Sequence, residues 1–207
     1  MSVEPLLIAT RSAGKLRELR DLFARAGLQI VDLDEAGVAP SEAEDNLESA
    51  ETFEENALAK ARYFASVTHR AVVADDSGLE VMALDGRPGV RSKRWSGRSD
   101  LAGAELDAAN NARLVEELRR RGLTNREARY VCVAAFVDGD VGLAFRGTTK
   151  GVILEQPRGA QGFGYDPYFF SDELRKTFGE ASPVEKELVS HRGRAFHALI
   201  AALEERR

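Results

Sequence analysis

The chain has 207 residues, 43% of them hydrophobic and 30% charged, with a net charge of −5 at pH 7. That composition describes an ordinary globular protein, not a disordered chain or a membrane-spanning one. The acidic balance argues against a broad nucleic-acid surface but leaves room for a local basic pocket. Cys132 is the one cysteine, so no internal disulfide is possible, and its place in the apolar run YVCVAAFV points to a buried thiol rather than a nucleophile. No basic segment followed by an apolar stretch opens the chain, which makes the cytoplasm the expected location.

In chain order, residues 6–9 predict a short buried strand. Residues 15–26 carry apolar side chains at 16, 19, 22, 23 and 26, the period of an amphipathic helix, which Gly27 ends. A second strand is expected over 28–33, then a long acidic loop over 34–51 without a clear period. Thr52 followed by Glu55 makes a capping box for a helix to about residue 67, with Phe53, Ala57, Ala61, Phe64 and Ala65 on its apolar side. An apolar strand then runs into Asp75 and Asp76. Residues 86–103, rich in Gly, Pro and hydroxyl side chains, predict ordered irregular structure, and a helix over 105–121 follows, closed by Gly122. Strands at 129–137 and 141–148 flank Asp138, Gly139 and Asp140, a hairpin signal. After residue 170 the pattern returns to helices: Ser182, Pro183 and Glu185 open a short one, and Ser190 is placed to cap the last, to residue 205. The alternation of strands and helices gives an α/β fold with a mixed sheet.

The feature that points most directly to chemistry is VVADDSGLEV, residues 72–81. Two adjacent carboxylates repel and resist desolvation, so a core strand that ends in them needs a metal ion or cationic partners. Alone, an Asp-Asp pair is more simply the start of a solvated loop. The loop TRSAGK between the first strand and first helix adds a place where helix N–H groups and Lys15 can receive an anion. It lacks the glycine spacing of a P-loop, and Leu16 stands where a magnesium-binding hydroxyl would be needed. GFGYDPYFF offers Phe163 or Tyr165 to stack on a base and Asp166 to fix a neighbouring group, against the plainer alternative of core packing. Lys186, Ser190, His191 and Arg192 gather donors suited to phosphate or a base carbonyl around a helix junction. His69 and His197 share no metal-ligand spacing with His191, Trp95 reads as a packed loop aromatic, and Glu48 and Glu51 are acids that could reach a magnesium ion.

Taken together, IATRSAGKLRELRDLF, ETFEENALAKA, ADDSGLEVMALDGRPGVRSKRWSG, GFGYDPYFF and KELVSHRGRA, in that order, resemble the inosine/xanthosine triphosphate pyrophosphatases, the family acting on non-standard purine nucleoside triphosphates. The resemblance covers nearly the whole chain. It implies a single domain over residues 1–207, α/β, with a long bent mixed sheet flanked by helices and two lobes with a nucleotide cleft between them. It also implies a homodimer and Mg²⁺-dependent hydrolysis of ITP, dITP and XTP to the monophosphate and pyrophosphate, with no nucleic-acid polymer or membrane as partner. By position, Thr10, Arg11, Ser12, Ala13, Gly14 and Lys15 match the phosphate-binding loop, Glu48 and Asp76 the metal-associated acids, and Asp76 the catalytic proton acceptor. Ser77, Phe163, Gly164, Tyr165, Asp166, Lys186, His191 and Arg192 match substrate contacts. His191 and Arg192 are the donors expected to read the C6 carbonyl of hypoxanthine or xanthine. Ser12 stands where the family usually has Asn, and Arg11 where a small residue is usual. A Maf-like nucleotide pyrophosphatase fits the ADDSGLEV and SHR segments less well. A non-catalytic nucleotide-binding module would gain nothing from two acids facing a polyanion.

Overall fold

The computed structural model describes residues 4–206. Among these residues seven strands form one sheet in the order β2-β1-β3-β4-β5-β6-β7. They are β1 (Leu6–Ile8), β2 (Ile30–Asp32), β3 (Val72–Val81), β4 (Glu127–Asp138), β5 (Val141–Ile153), β6 (Phe169–Ser171) and β7 (Lys176–Thr177). The sheet is mixed: β1 pairs in parallel with β2 and with β3, whereas β5 with β6 and β6 with β7 are antiparallel. Only Gly139 and Asp140 join β4 to its neighbour β5, and Gly139 takes a positive φ of 55°. A connection that short makes the pair a hairpin, as expected.

Among the described residues five helices flank the sheet: α1 (Ala13–Arg25), α2 (Phe53–Thr68), α3 (Gly103–Arg120), α4 (Pro183–Val189) and α5 (His191–Glu204). Their caps follow the sequence. Thr52 accepts from the Glu55 amide at the start of α2, and Ser182 with Glu185 closes a reciprocal capping box on α4, which has Pro183 in its first turn. α1 starts two residues earlier than its apolar period suggests, because Ser12 caps it, accepting from the Lys15 amide.

The expectation that the apolar strand ends at the two acids is overturned. β3 continues through Asp75, Asp76, Ser77 and Gly78 to Val81, and both acids lie buried inside it. Elsewhere the sequence signal was incomplete. The acidic segment over 34–51 contains a 3₁₀ turn, Glu42–Asn46, with its own Ser41–Glu44 capping box, and the irregular region contains another, Gly89–Arg94. β6 was not expected, and β7 stands in the stretch after residue 170 where only helices were expected.

The chain divides into two compact units. The first comprises the chain up to Asp76, Cys132–Gly147 and the part from Arg192 onward. Its core packs Leu19, Leu22 and Phe23 of α1 and Phe196, Leu199 and Ile200 of α5 against Ile8, Val73, Cys132, Ala134 and Phe136 of the strands. The second comprises Ser77–Val131 and Thr148–His191, with a core of Leu79, Val81, Leu114, Leu118, Tyr130, Ile153, Tyr165, Phe169 and Phe178.

Candidate active site

In the first unit everything turns on the alternation of a strand. Successive side chains of β3 point to opposite faces of the sheet. Asp75 therefore shares a face with Val73, the face covered by α1 and α5, and Asp76 faces the other way. Asp75 is met by Lys15, whose Nζ lies 3.1 Å from Oδ2, and by Arg192, whose Nη2 lies 3.3 Å from the same oxygen. The Cys132 thiol donates to Oδ2 across 3.7 Å, and Lys60 of α2 donates to the Asp75 carbonyl at 2.9 Å. Arg192 spends its third nitrogen on Glu18, at 2.6 Å. Asp76 instead accepts from the Asn56 amide of α2 at 2.9 Å. Lys60 also pairs closely with Glu48.

Two carboxylates adjacent in sequence thus acquire opposite character. Burial would raise the Asp75 carboxyl, but Lys15, Arg192 and Lys60 outweigh it and hold that group well below the ordinary carboxylate range. Burial also raises the Asp76 carboxyl, and there it prevails: Glu48 adds to the rise, and the opposing pull of Lys15, Lys60 and Asn56 is smaller. Asp75 is a fixed anion, while Asp76 is a carboxylate with enhanced basicity. Such a divergence separates a structural acid from a proton acceptor.

A hard divalent cation takes oxygen ligands, and Mg²⁺ commonly accepts one or two from carboxylates and the rest from water and phosphate. Asp76 and Glu48 are a donor pair of that kind, and a cation would relieve the repulsion from Glu48 that adds to the effect of burial on Asp76. Among the described residues no group of three or more His, Cys, Asp or Glu is placed to hold a metal. The protein would therefore contribute two carboxylates and leave the other positions to water and ligand.

The phosphate-loop candidates split. Lys15 and Ser12 sit at the N-terminus of α1, where unsatisfied amides favour an anion, and Ser12 is engaged in the cap. The Arg11 guanidinium turns to the acidic segment: it reaches Asp34 at 2.9 Å, binds Glu44 through two nitrogens and donates to the Val38 carbonyl at 2.9 Å.

The second unit holds the remaining candidates. Asp166 is buried, and its Oδ2 accepts from Lys186 Nζ at 2.5 Å and from the Phe163 amide at 2.8 Å, while Oδ1 accepts from the Tyr130 hydroxyl at 3.3 Å. A side chain at Gly162, which has φ 76°, would meet Asp166 Oδ2 at 2.0 Å, so this turn needs glycine. α3 clamps the same turn: Asp107 accepts from the Gly164 amide at 2.7 Å and Asn111 donates to its carbonyl at 2.8 Å. Lys186 Nζ lies 5.0 Å from the ring centre of the half-buried Phe163. His191 stacks on Tyr130, with centroids 4.4 Å apart and planes 4° from parallel. Tyr165, one of the two stacking candidates, is a core residue whose hydroxyl donates to the Ser92 carbonyl at 2.7 Å. Ser77 is half-buried in β3.

Lys15, Glu48, Asp76 and Arg192 therefore come together in the first unit, and Phe163, Asp166, Lys186 and His191 in the second. Asn56, Lys60, Glu18 and Tyr130 were missed by sequence reasoning. For two of them a signal existed: Asn56 and Lys60 stand four apart in α2, one position before Ala57 and Ala61, so they border the apolar stripe rather than the solvent face.

Known proteins are similar to this chain almost end to end. The sequence is 48% identical over 206 residues to a dITP/XTP pyrophosphatase of Mycolicibacterium paratuberculosis, covering 98% of this chain and 97% of that protein. It is also 48% identical over 204 residues to a dITP/XTP pyrophosphatase of Burkholderia pseudomallei, covering 97% and 93%. The fold matches that of a HAM1 protein from Coxiella burnetii with a TM-score of 0.84 at 34% identity, covering 98% of this chain and all of that one. A nucleoside-triphosphatase / dITP/XTP pyrophosphatase from Mycobacterium abscessus matches with a TM-score of 0.71 at 41% identity, covering 95% and 98%. Residues 6–202 match the profile of the Ham1 family, and with relatives this similar over nearly their full length the chain belongs to that family.

Proposed function

We propose that the protein hydrolyses non-standard purine nucleoside triphosphates, dITP, ITP and XTP, to the monophosphate and pyrophosphate, and so clears them from the nucleotide pool. One observation carries the reading: Asp75 and Asp76, adjacent in β3, are driven in opposite directions by their surroundings, leaving Asp76 as a proton acceptor beside a fixed cluster of cations. The relatives named dITP/XTP pyrophosphatase supply the substrate class.

In this reading Lys15 and the amides opening α1, in the segment from Thr10, receive the triphosphate. Asp75 keeps Lys15 charged and in place. Asp76 takes the proton from the attacking water as the anhydride bond between the α- and β-phosphates breaks and pyrophosphate leaves. Glu48 and Asp76 would hold Mg²⁺, which when bound neutralises phosphate charge in the transition state. Phe163, Asp166, Lys186 and His191 are assigned to nucleotide recognition, with Phe163 the aromatic left to stack on a base and Ser77 a further contact. Arg192, expected from its motif to read the base, is assigned to hold Asp75. A homodimer working in the cytoplasm on free nucleotides completes the proposal.

The test is product analysis after incubation with dITP, XTP and the common nucleoside triphosphates. Pyrophosphate should form from dITP and XTP with Mg²⁺ present and not with excess EDTA. Orthophosphate as the first product would refute the reading.

A further inference from the structure

We infer that Asn56 is a positioning residue for the reaction, the side chain that fixes the Asp76 carboxylate and, with the same amide, the backbone next to Glu48. The inference rests on the catalytic reading of Asp76 given above.

Asn56 lies in the first turns of α2 and is fully buried. Its Nδ2 donates to Asp76 Oδ2 at 2.9 Å and approaches the Ala50 carbonyl at 3.4 Å, while its Oδ1 accepts from the Ala50 amide at 2.9 Å. One side chain thus bonds to the end of the acidic segment, two residues past Glu48, and to an acid twenty positions further on. One helical turn later, Lys60 pairs with Glu48 and donates to the Asp75 carbonyl. The face of α2 therefore holds both candidate metal-associated acids, each through a different side chain.

The geometry requires an amide. Both of its ends are used, the donor on a carboxylate and the acceptor on a backbone N–H. A carboxylate at position 56 would keep the Ala50 bond but turn an acceptor toward Asp76, two acids facing each other in a buried site. An apolar side chain would leave both the Ala50 amide and Asp76 Oδ2 without this partner. Glutamine places its amide one methylene too far along a closed interior. Because Asp76 has to meet a water molecule in a restricted geometry, a loss of orientation should appear in turnover before it appears in binding, and a misplacement of about 1 Å can cost about 10²-fold.

The experiment uses the full-length enzyme and its Asn56→Asp, Asn56→Ala and Asn56→Ser variants. It reads kcat and KM for dITP at saturating Mg²⁺, and the hydrogen exchange of peptides covering 48–52 without nucleotide. Expected for Asn56→Ala is a kcat lower by about 10²-fold, a KM within about threefold of wild type, and faster exchange at Ala50, with β3 still protected. Asn56→Asp should lose turnover as severely yet keep Ala50 protected, separating the two bonds. Asn56→Ser, which retains a small donor, should lie between, and it carries the comparison if the alanine variant does not fold. Wild-type kcat in any folded variant, or a loss confined to KM, would overturn the assignment. Wild-type enzyme that releases no pyrophosphate from dITP would instead defeat the catalytic reading itself.

Discussion

At the scale of single residues the decisive contrast is between neighbours. Asp76→Asn keeps the shape and the buried position but removes the carboxylate proposed as the proton acceptor, so turnover should fall by about 10²–10⁴-fold while dITP still binds, measured by single-turnover rates and equilibrium binding. The same change should stabilise the metal-free protein. The Asp76 carboxyl is raised on folding, so its favourable contribution is present below its ordinary 3.8 and is lost as pH rises through the folded value. In EDTA, the melting temperature of Asp76→Asn should therefore exceed that of wild type by a margin that widens as pH rises through that window and then levels. A constant margin would mean Asp76 does not titrate as described. Asp75 has the opposite sign: its depressed value contributes stability above 3.8 that is lost on acidification. Arg192 belongs with Asp75. Arg192→Ala leaves the buried Asp75 and the half-buried Glu18 short of a cation and should cost about 3–5 kcal/mol in stability, lowering kcat/KM for ITP and ATP alike. A loss selective for ITP would return Arg192 to base recognition.

At the scale of elements, the sequence spoke clearly wherever local chemistry decides the outcome. The helices 53–68 and 183–189 announced their starts through Thr52, Ser182 and Pro183, and the β4–β5 hairpin through Gly139. It was silent where partners lie far along the chain. β6 and β7, three residues and two, exist because β5 extends to Ile153 and offers β6 an edge, and β6 in turn offers one to β7, which no local pattern encodes. β3 was expected to stop at Asp75 because its cations, Lys15 and Arg192, are 60 and 117 residues away. Among the candidate-site residues, Lys15, Asp76, Asp166 and Lys186 stood out through motifs, whereas Glu18 and Tyr130 resemble ordinary surface and core positions until the fold brings them to Arg192 and Asp166. The cap on α1 gives a prediction at this scale. Ser12→Ala should destabilise by about 1 kcal/mol and raise KM for dITP, whereas Ser12→Asn, an equally good cap, should leave the melting temperature unchanged. Equal melting temperatures for all three would remove Ser12 from the cap.

At the scale of the whole molecule, the first unit is assembled from three separated pieces of chain, and its ion cluster uses all of them: Lys15, Glu18 and Asp75 from the first, Cys132 from the second, Arg192 from the third. The Glu18–Arg192 bond spans 174 positions. The consequence concerns the ribosome. Domains tend to fold as they emerge, N-terminal segments first, but here the emerging chain carries a buried acid whose arginine has yet to be made, and a core still missing Phe196, Leu199 and Ile200. A chain released just before Arg192 should neither hydrolyse dITP nor resist protease, whereas one released a few residues after Glu204 should do both. Arrested nascent chains of graded length would show this as a single late step. Catalytic competence would then arrive with the last helix, so that products terminated before Arg192 could not act on the nucleotide pool.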